Sequence, residues 1–157
     1  MAADADQGDI IEFLSRGAAY GRPADTVTRI DTHASVVFLV HDRAYKLKRA
    51  IKFSYLDYST VAKREAMCRA EYDLNRRTAP LLYRGVRAVT RAADGTLALD
   101  GDGEPVDWLL EMAQFPQEAL FDRLAERHEL TPSLMRDLAD AVASFHGEAA
   151  ACTGGAI

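Results

Sequence analysis

The sequence predicts an α+β fold in which one helix packs beside an antiparallel sheet. Short alternating apolar stretches occur in two groups, a helical stretch separates the groups, and further helices follow the last strand. With 157 residues, of which 48% are hydrophobic, the chain can bury one core but is short for two independent domains. We therefore expect one compact unit.

The first predicted elements are a helix and three strands. Residues 1–9 form an acidic stretch that we expect to be a flexible tail, with Asp9 able to cap a short helix that ends at Gly17. Its apolar side carries Ile10, Ile11, Phe13 and Leu14. Strands are then expected at residues 26–30, 36–40 and 44–49, with a tight polar turn at 41–43.

The second half of the pattern is a helix, three more strands and two helices. Ser59 or Thr60 can cap a helix that runs to about residue 77. Turn signals at residues 94–95 and 100–103 separate the three strands, and Thr131 and Pro132 begin the last helix. The predicted strands are residues 85–91, 96–99 and 106–112, and the predicted final helices are residues 117–127 and the helix that Thr131 caps.

A strongly basic strand is the main functional signal. Residues 43–52 contain five basic side chains and no acid, although the net charge of the chain is −5. Alternation along a strand places Ala44, Lys46 and Lys48 on one face. A small residue two positions before a lysine is how protein-kinase-like folds hold ATP, because it leaves room for adenine while the lysine reaches the phosphates. The contrast in charge points to a bound anion.

Such a lysine needs an acidic partner to hold it in place. The apolar residues Met67, Ala70 and Leu74 indicate the inward stripe of the next helix, with Glu71 at its edge and Glu65 nearly opposite. We therefore predict that Glu71 pairs with Lys46. The alternative is that Lys46 and Lys48 solvate a strand edge and Glu71 is a surface acid.

The last strand leads through Pro116 into helices, as a hinge between two lobes would. In that geometry the Glu111 carbonyl would accept a hydrogen bond from the adenine amino group, and the Ala113 N–H would donate one to the adenine ring. The alternative is an ordinary buried strand with an interfacial tryptophan, Trp108.

Composition argues against several partners and locations. An acidic chain with a pI near 5.3 is a poor candidate for sequence-independent nucleic-acid binding. The longest apolar run, residues 36–40, is far shorter than the roughly 20 residues that span a bilayer, and the acidic start is unlike a signal peptide. Cys68 and Cys152 have neither metal-site spacing nor a convincing disulfide pairing. We expect a cytoplasmic protein with no membrane or nucleic-acid partner.

Several motifs, in order and spacing, resemble the aminoglycoside-phosphotransferase-like family, in the subgroup often fused to a P-loop ATP-binding domain. They lie at residues 37–39, 43–48, 53–60, 74–80 and 104–108, and the likeness extends from Ile10 to Phe145. The resemblance implies a kinase-like small lobe at residues 10–113, ending in the hinge, and the start of a helical large lobe at residues 114–157. It also implies ATP as the nucleotide and a small-molecule hydroxyl as phosphoryl acceptor. The turn at residues 32–35 would lie over the phosphates, and because it lacks glycine it would rely on a side chain such as Ser35.

The family's catalytic loop is not found in the sequence. His146-Gly147-Glu148 resembles its His-Gly-Asp motif but has glutamate in place of the catalytic aspartate. Asn75, within the helix motif, is the only asparagine, so no asparagine is placed to hold magnesium. We expect a nucleotide-binding lobe that is inactive alone, with magnesium bound only in the complete family protein.

Two partners and one other function remain open. The faces of Phe121, Leu124 and Leu138 would be covered by the missing C-terminal lobe or by a self-associated copy. The alternative function is a non-catalytic binding or regulatory module derived from the same fold.

Overall fold

An antiparallel sheet of six strands organises the first part of the chain in the computed structural model, which describes residues 7–149. The contacts divide the chain into two units, one ending at Gln114 and one beginning at Phe115, rather than the single compact unit that the length suggested. The physical reason is that the predicted apolar stripe of the last helix is not buried. The α+β class is confirmed.

The described part of the first unit, residues 7–114, contains two α-helices and eight strands. The helices are α1 (Gly8–Leu14) and α2 (Val61–Asn75). The strands are β1 (Thr28–Asp31), β2 (Ser35–Val40), β3 (Arg43–Lys48), β4 (Lys52–Phe53), β5 (Leu56–Asp57), β6 (Tyr83–Arg91), β7 (Leu97–Leu99) and β8 (Glu104–Ala113). The large sheet has the order β1-β2-β3-β8-β6-β7, and every neighbouring pair is antiparallel. The small β4–β5 hairpin was not predicted, because two-residue strands are too short to show alternation.

One face of the sheet carries the core. Strand β2 contributes every second residue, Val36, Phe38 and Val40, and each is at most 2% exposed. The apolar side of α1 packs on this face with Ile10, Ile11 and Leu14, and Leu47 and Leu109 complete its centre.

The N-terminal boundary corrects the predicted tail. Gln7 is 1% exposed and α1 begins at Gly8, so residues 7–9 belong to the fold. Residues 1–6 lie outside the described part of the chain. Asp9 is not the cap that was predicted: the N-cap position is Gln7, and Asp9 lies in the first turn, where its carboxylate accepts from the N–H of Ile10.

Gly17 does not end α1, as predicted, but begins a 3-10 turn that runs to Tyr20. A Cβ at Gly17 would lie 2.1 Å from the carbonyl oxygen of Arg22 and 2.5 Å from that of Asp25. The close backbone approach therefore requires glycine at this position.

Helix α2 forms where predicted, but its inward face is different. The Thr60 hydroxyl accepts a hydrogen bond from Lys63 N at 3.3 Å, which selects Thr60 over Ser59 as the cap. Met67 and Leu74, predicted to point inward, are 40% and 61% exposed, and Ala70 is also exposed. The buried residues are Arg64 and Cys68. The phase of this helix is set by polar partners on the sheet rather than by its apolar side chains.

The second unit consists of helices α3 (Phe121–Glu126) and α4 (Pro132–Glu148), preceded by a 3-10 turn at Gln117–Ala119. The helix predicted at residues 117–127 is interrupted at Leu120, whose ψ of 140° is extended. The Thr131 cap is confirmed, because its hydroxyl accepts from Leu134 N at 3.2 Å. No residue between 115 and 149 is buried. In the whole described range, 7–149, no helix has the length and apolar character needed to cross a membrane.

Candidate functional site

Two lysines of β3 share one carboxylate of α2. Lys46 Nζ donates to Glu71 Oε1 at 2.9 Å, and Lys48 Nζ donates to Glu71 Oε2 at 2.5 Å. Both lysines lie on the sheet face opposite the core residues Tyr45 and Leu47, because side chains alternate along a strand. The predicted Lys46–Glu71 pair is confirmed. The second bond, from Lys48, was not predicted.

The two lysines differ sharply in their access to solvent. The Lys46 side chain is 30% exposed, whereas that of Lys48 is 3% exposed and Glu71 is 18% exposed. The ammonium of Lys48 also lies 4.9 Å from the centre of the Tyr58 ring. Only Lys46 can therefore reach a ligand without rearrangement of the surrounding chain.

Burial and charge act in opposite directions on this cluster. Burial alone would lower the pKa of Lys48, but the hydrogen bond and the charge of Glu71 outweigh it and raise that pKa above its ordinary value. Burial would likewise raise the pKa of Glu71, yet the hydrogen bonds from Lys48 and Lys46 hold it below its ordinary value. Lys48 and Glu71 therefore both stay ionised at neutral pH.

Helix α2 turns Glu71 towards the lysines and Glu65 away from them. Glu65 pairs with Arg69 at 2.8 Å, one turn along the same helix, as expected for an acid on a different face. The Asn75 side-chain amide donates to the backbone oxygen of Glu71 at 2.9 Å. The only asparagine in the sequence is thus engaged in the last turn of α2.

Ala44 and Ser35 occupy the two ends of the same face. Ala44 is buried opposite Leu39 and Met112, two residues from Lys46, as the small-residue pattern predicted. Ser35 is the first residue of β2 rather than part of an exposed turn, and it is 5% exposed. Its N–H donates to the Thr32 hydroxyl at 3.0 Å, so this N–H is not open to a phosphate. The predicted phosphate contact belongs to the Ser35 side chain, which this backbone bond does not occupy, and it stays a prediction.

The structure places the two residues of the predicted hinge, Glu111 and Ala113, in strand β8 of the sheet. The Ala113 N–H donates to the Leu82 carbonyl at 2.8 Å, so it cannot donate to adenine as predicted. Glu111 lies inside the sheet, opposite Tyr45 and Gly85, with its carboxylate 2.9 Å from Arg87 Nη1. Glu111 is thus paired with residues of both neighbouring strands, whereas Ala113 is the last residue of β8 and is paired with Arg43 of β3.

A buried polar network beside the lysines was missed from the sequence. Arg64 Nε donates to Asp107 Oδ1 at 2.7 Å, and Gln7 Nε2 donates to Asp107 Oδ2 at 2.6 Å. All three residues are at most 4% exposed. Two signals could have indicated it: Arg64 lies seven residues before Glu71 on the same helix face, and Asp107 falls within the motif at residues 104–108.

Cys68 lies between Arg64 and Glu71 on the buried face of α2. Burial is the main cause that raises the pKa of its thiol to about 11, and its sulfur lies 3.8 Å from the Trp108 carbonyl. The thiol is therefore protonated at neutral pH, as expected for a structural cysteine. Cys152 lies outside the described residues. Between residues 7 and 149, no group of three or more histidine, cysteine or acidic side chains is arranged to hold a metal ion.

Part of the chain is similar to proteins of mycobacteria. Uncharacterized proteins of Mycobacterium tuberculosis and Mycobacterium bovis are 35% identical to it over 65 residues, which is 41% of this chain. The match spans 13% of the length of these relatives. No family model matches the chain. No solved structure matches it at a significant level.

Proposed function

We propose that this chain is the nucleotide-binding lobe of an ATP-dependent small-molecule phosphotransferase of the aminoglycoside-phosphotransferase-like family, with a kinase-like fold. The observation that carries the proposal is the ion pair between Lys46 of β3 and Glu71 of α2. A strand lysine held by a helix glutamate is the arrangement with which kinase-like folds position the phosphates of ATP. The motifs at residues 37–108 and the strand order support the same reading.

The charge balance suits a phosphate ligand. Two lysines and one carboxylate leave one positive charge, and it is the partly exposed Lys46 that can turn towards an anion. Ala44, on the same face, has the small side chain that the proposal requires next to a planar base. We therefore assign Lys46 to the α- and β-phosphates and Glu71 to its orientation.

The adenine contacts predicted from the sequence do not enter this proposal. The Ala113 N–H is bonded to Leu82, and Glu111 lies within the sheet. Binding energy must then come mainly from the phosphates and from apolar contact with the base. Such a site binds nucleotide weakly, with a Kd above about 100 μM.

Phosphoryl transfer requires groups beyond these residues. In this family a catalytic aspartate accepts the proton of the acceptor hydroxyl, and an asparagine holds magnesium. Asn75 is the sole asparagine of the sequence, and its amide donates to the Glu71 backbone. We therefore assign transfer, magnesium binding and a cytoplasmic site of action to the complete family protein.

The test is an ATP titration by NMR up to millimolar concentration, in the presence of magnesium, with a matched pair of lysine variants. Lys46→Met should abolish measurable binding, because it removes the only phosphate-facing cation of the cluster. Lys52→Met removes the charge of a lysine that is 70% exposed and should leave the Kd within about twofold. Equal loss in both variants, or binding that survives Lys46→Met, would contradict the proposal.

A second candidate, the non-catalytic binding or regulatory module, is favoured by the second unit. Its apolar side chains Phe121, Met135, Leu138 and Val142 are 38–44% exposed, which suits assembly with another lobe or a second copy. In a radiolabel transfer assay over a panel of small hydroxyl compounds, both candidates predict no turnover by this chain alone. Turnover that Lys46→Met abolishes would exclude a non-catalytic module and would also overturn the expectation that the chain is inactive alone.

A further inference from the structure

The backbone at the buried lysine, Lys48, is held in place by the side chain of Gln7. Its backbone carbonyl accepts from Gln7 Nε2 at 3.0 Å, while Gln7 Oε1 accepts from Ala50 N at 2.8 Å. The strand end that carries Lys48 is therefore held by a side chain that is itself 1% exposed.

The ring beside the Lys48 ammonium is fixed by the same network. Arg64 Nη1 donates to the Tyr58 carbonyl at 3.0 Å, while Arg64 Nε is held by Asp107. The Tyr58 ring lies 4.9 Å from Lys48 Nζ, and with Glu71 it encloses the ammonium. With 3% of its side chain exposed, Lys48 has no route to a ligand in this geometry.

We propose that Lys48 is a positioning residue that holds the Glu71 carboxylate in place, so that Glu71 orients Lys46 as Lys46 binds a nucleotide phosphate. This inference rests on the proposed function for its ligand. Each lysine has its own carboxylate oxygen, so Lys46 can contact a phosphate without disturbing the bond between Lys48 and Oε2.

The advantage is electrostatic. Glu71 is 18% exposed, and a mostly buried carboxylate that lost its sole cationic partner would be strongly destabilised. Lys48 lowers that cost, because the Lys48–Glu71 pair is neutral when Lys46 shares its charge with the phosphates. The pair also keeps α2 in place, so Lys46 stays oriented by the same carboxylate.

A double-mutant cycle on ATP binding tests this role. Lys48→Met, which keeps the length of the buried side chain, should weaken ATP binding about tenfold in the wild-type background. In the Glu71→Gln background it should cause no further weakening, because Lys48 acts only through that carboxylate. A loss of equal size in both backgrounds would mean that Lys48 contacts the ligand itself, and would overturn the proposal. Lys52→Met is the control for loss of one positive charge.

A second experiment needs no nucleotide and uses the Cys68 thiol, which is 0% exposed and lies three residues before Glu71. In a Cys152→Ser background, its reaction rate with an aromatic disulfide reagent reports the opening of α2. Lys48→Met should accelerate the reaction at least about tenfold, whereas Lys46→Met should change it less than about threefold. Equal acceleration by the two variants would show that Lys48 has no special hold on Glu71.

Lys48→Arg covers the case in which Lys48→Met does not fold. Because it keeps the charge, it should keep Cys68 protected and leave the ATP Kd within about threefold of wild type. Weakening of ATP binding beyond tenfold with Cys68 still protected would mean that the ligand needs the ammonium itself. If the wild-type chain binds no ATP, the proposed function fails, and the thiol rates still decide whether Lys48 holds Glu71.

Discussion

The two units of this chain have equally clear sequence patterns but very different degrees of burial. In the first, residues such as Phe38, Leu47 and Leu109 are 0% exposed. In the second, α4 is 17 residues long and capped at Thr131, yet no described residue is buried. A capped, amphipathic segment is enough to specify a helix. Its apolar side chains are buried only where another surface packs against them.

The units also differ in where their ion pairs lie. In the first unit the side chains of Arg64 and Asp107 are 5% and 0% exposed. In the second unit those of Arg123 and Glu126 are 56% and 64% exposed. The buried Arg64–Asp107 pair therefore fixes geometry in the first unit, whereas the exposed Arg123–Glu126 pair of the second contributes little.

The largest expected difference in stability is between alanine substitutions of two phenylalanines, Phe38 in the first unit and Phe121 in the second. Phe38→Ala should lower the free energy of unfolding by about 3–5 kcal/mol, because it leaves a cavity in the sheet core. Phe121→Ala should lower the free energy of unfolding by less than about 1 kcal/mol, because Phe121 is 42% exposed. Urea unfolding followed by Trp108 fluorescence and by circular dichroism measures both. Similar losses would mean that the second unit is buried in solution.

The ion pairs should differ almost as much. Asp107→Asn leaves the buried Arg64 guanidinium without its charge partner and should cost about 3–5 kcal/mol. Glu126→Gln should cost less than about 1 kcal/mol, since exposed pairs contribute little. The double variant Arg64→Met/Asp107→Leu should regain much of the free energy of unfolding that Asp107→Asn loses, as measured by the same urea titration. A double variant no more stable than Asp107→Asn would show that the network does more than neutralise its own charges.

A smaller effect is expected at alkaline pH. The pKa of Cys68 is raised from 9.0 to about 11, so above pH 9 the folded chain keeps a proton that the unfolded chain releases. Stability should therefore fall between pH 9 and pH 11, by on the order of 2–3 kcal/mol from this group, and be unaffected by it below pH 9. In Cys68→Ala the free energy of unfolding should fall less steeply between pH 9 and pH 11. The loss of packing lowers stability at every pH and does not change this slope. An unchanged slope would mean that the thiol ionises as freely when folded as when unfolded.

The candidate site was only partly predictable. Strand alternation and the spacing of Ala44 and Lys46 led to Lys46 and Glu71, and the pairing of these two side chains is confirmed. The reasoning that chose Glu71 was nevertheless wrong in part, since Met67 and Leu74 point to solvent. Glu71 faces inward because Lys46 and Lys48 bind its carboxylate. The pattern of apolar residues along the helix does not reveal these two partners.

The predicted hinge contact of Ala113 failed for a different reason. The Ala113 N–H is satisfied by the Leu82 carbonyl, and that partner depends on how neighbouring segments meet. A buried donor must find a partner, but sequence alone does not say which one.

What the sequence determined by itself was local: the order of the six strands of the large sheet and of helices α1, α2 and α4, the cap at Thr131, and the lysine face of β3. Periodicity and capping act within a few residues, so they can be read from the chain directly. The tertiary structure alone decided the buried partners, above all Gln7 and Asp107, which are 100 residues apart and 2.6 Å from each other. Polar groups removed from water must be satisfied by whatever the fold brings near, and that is a property of the assembled sheet and helices.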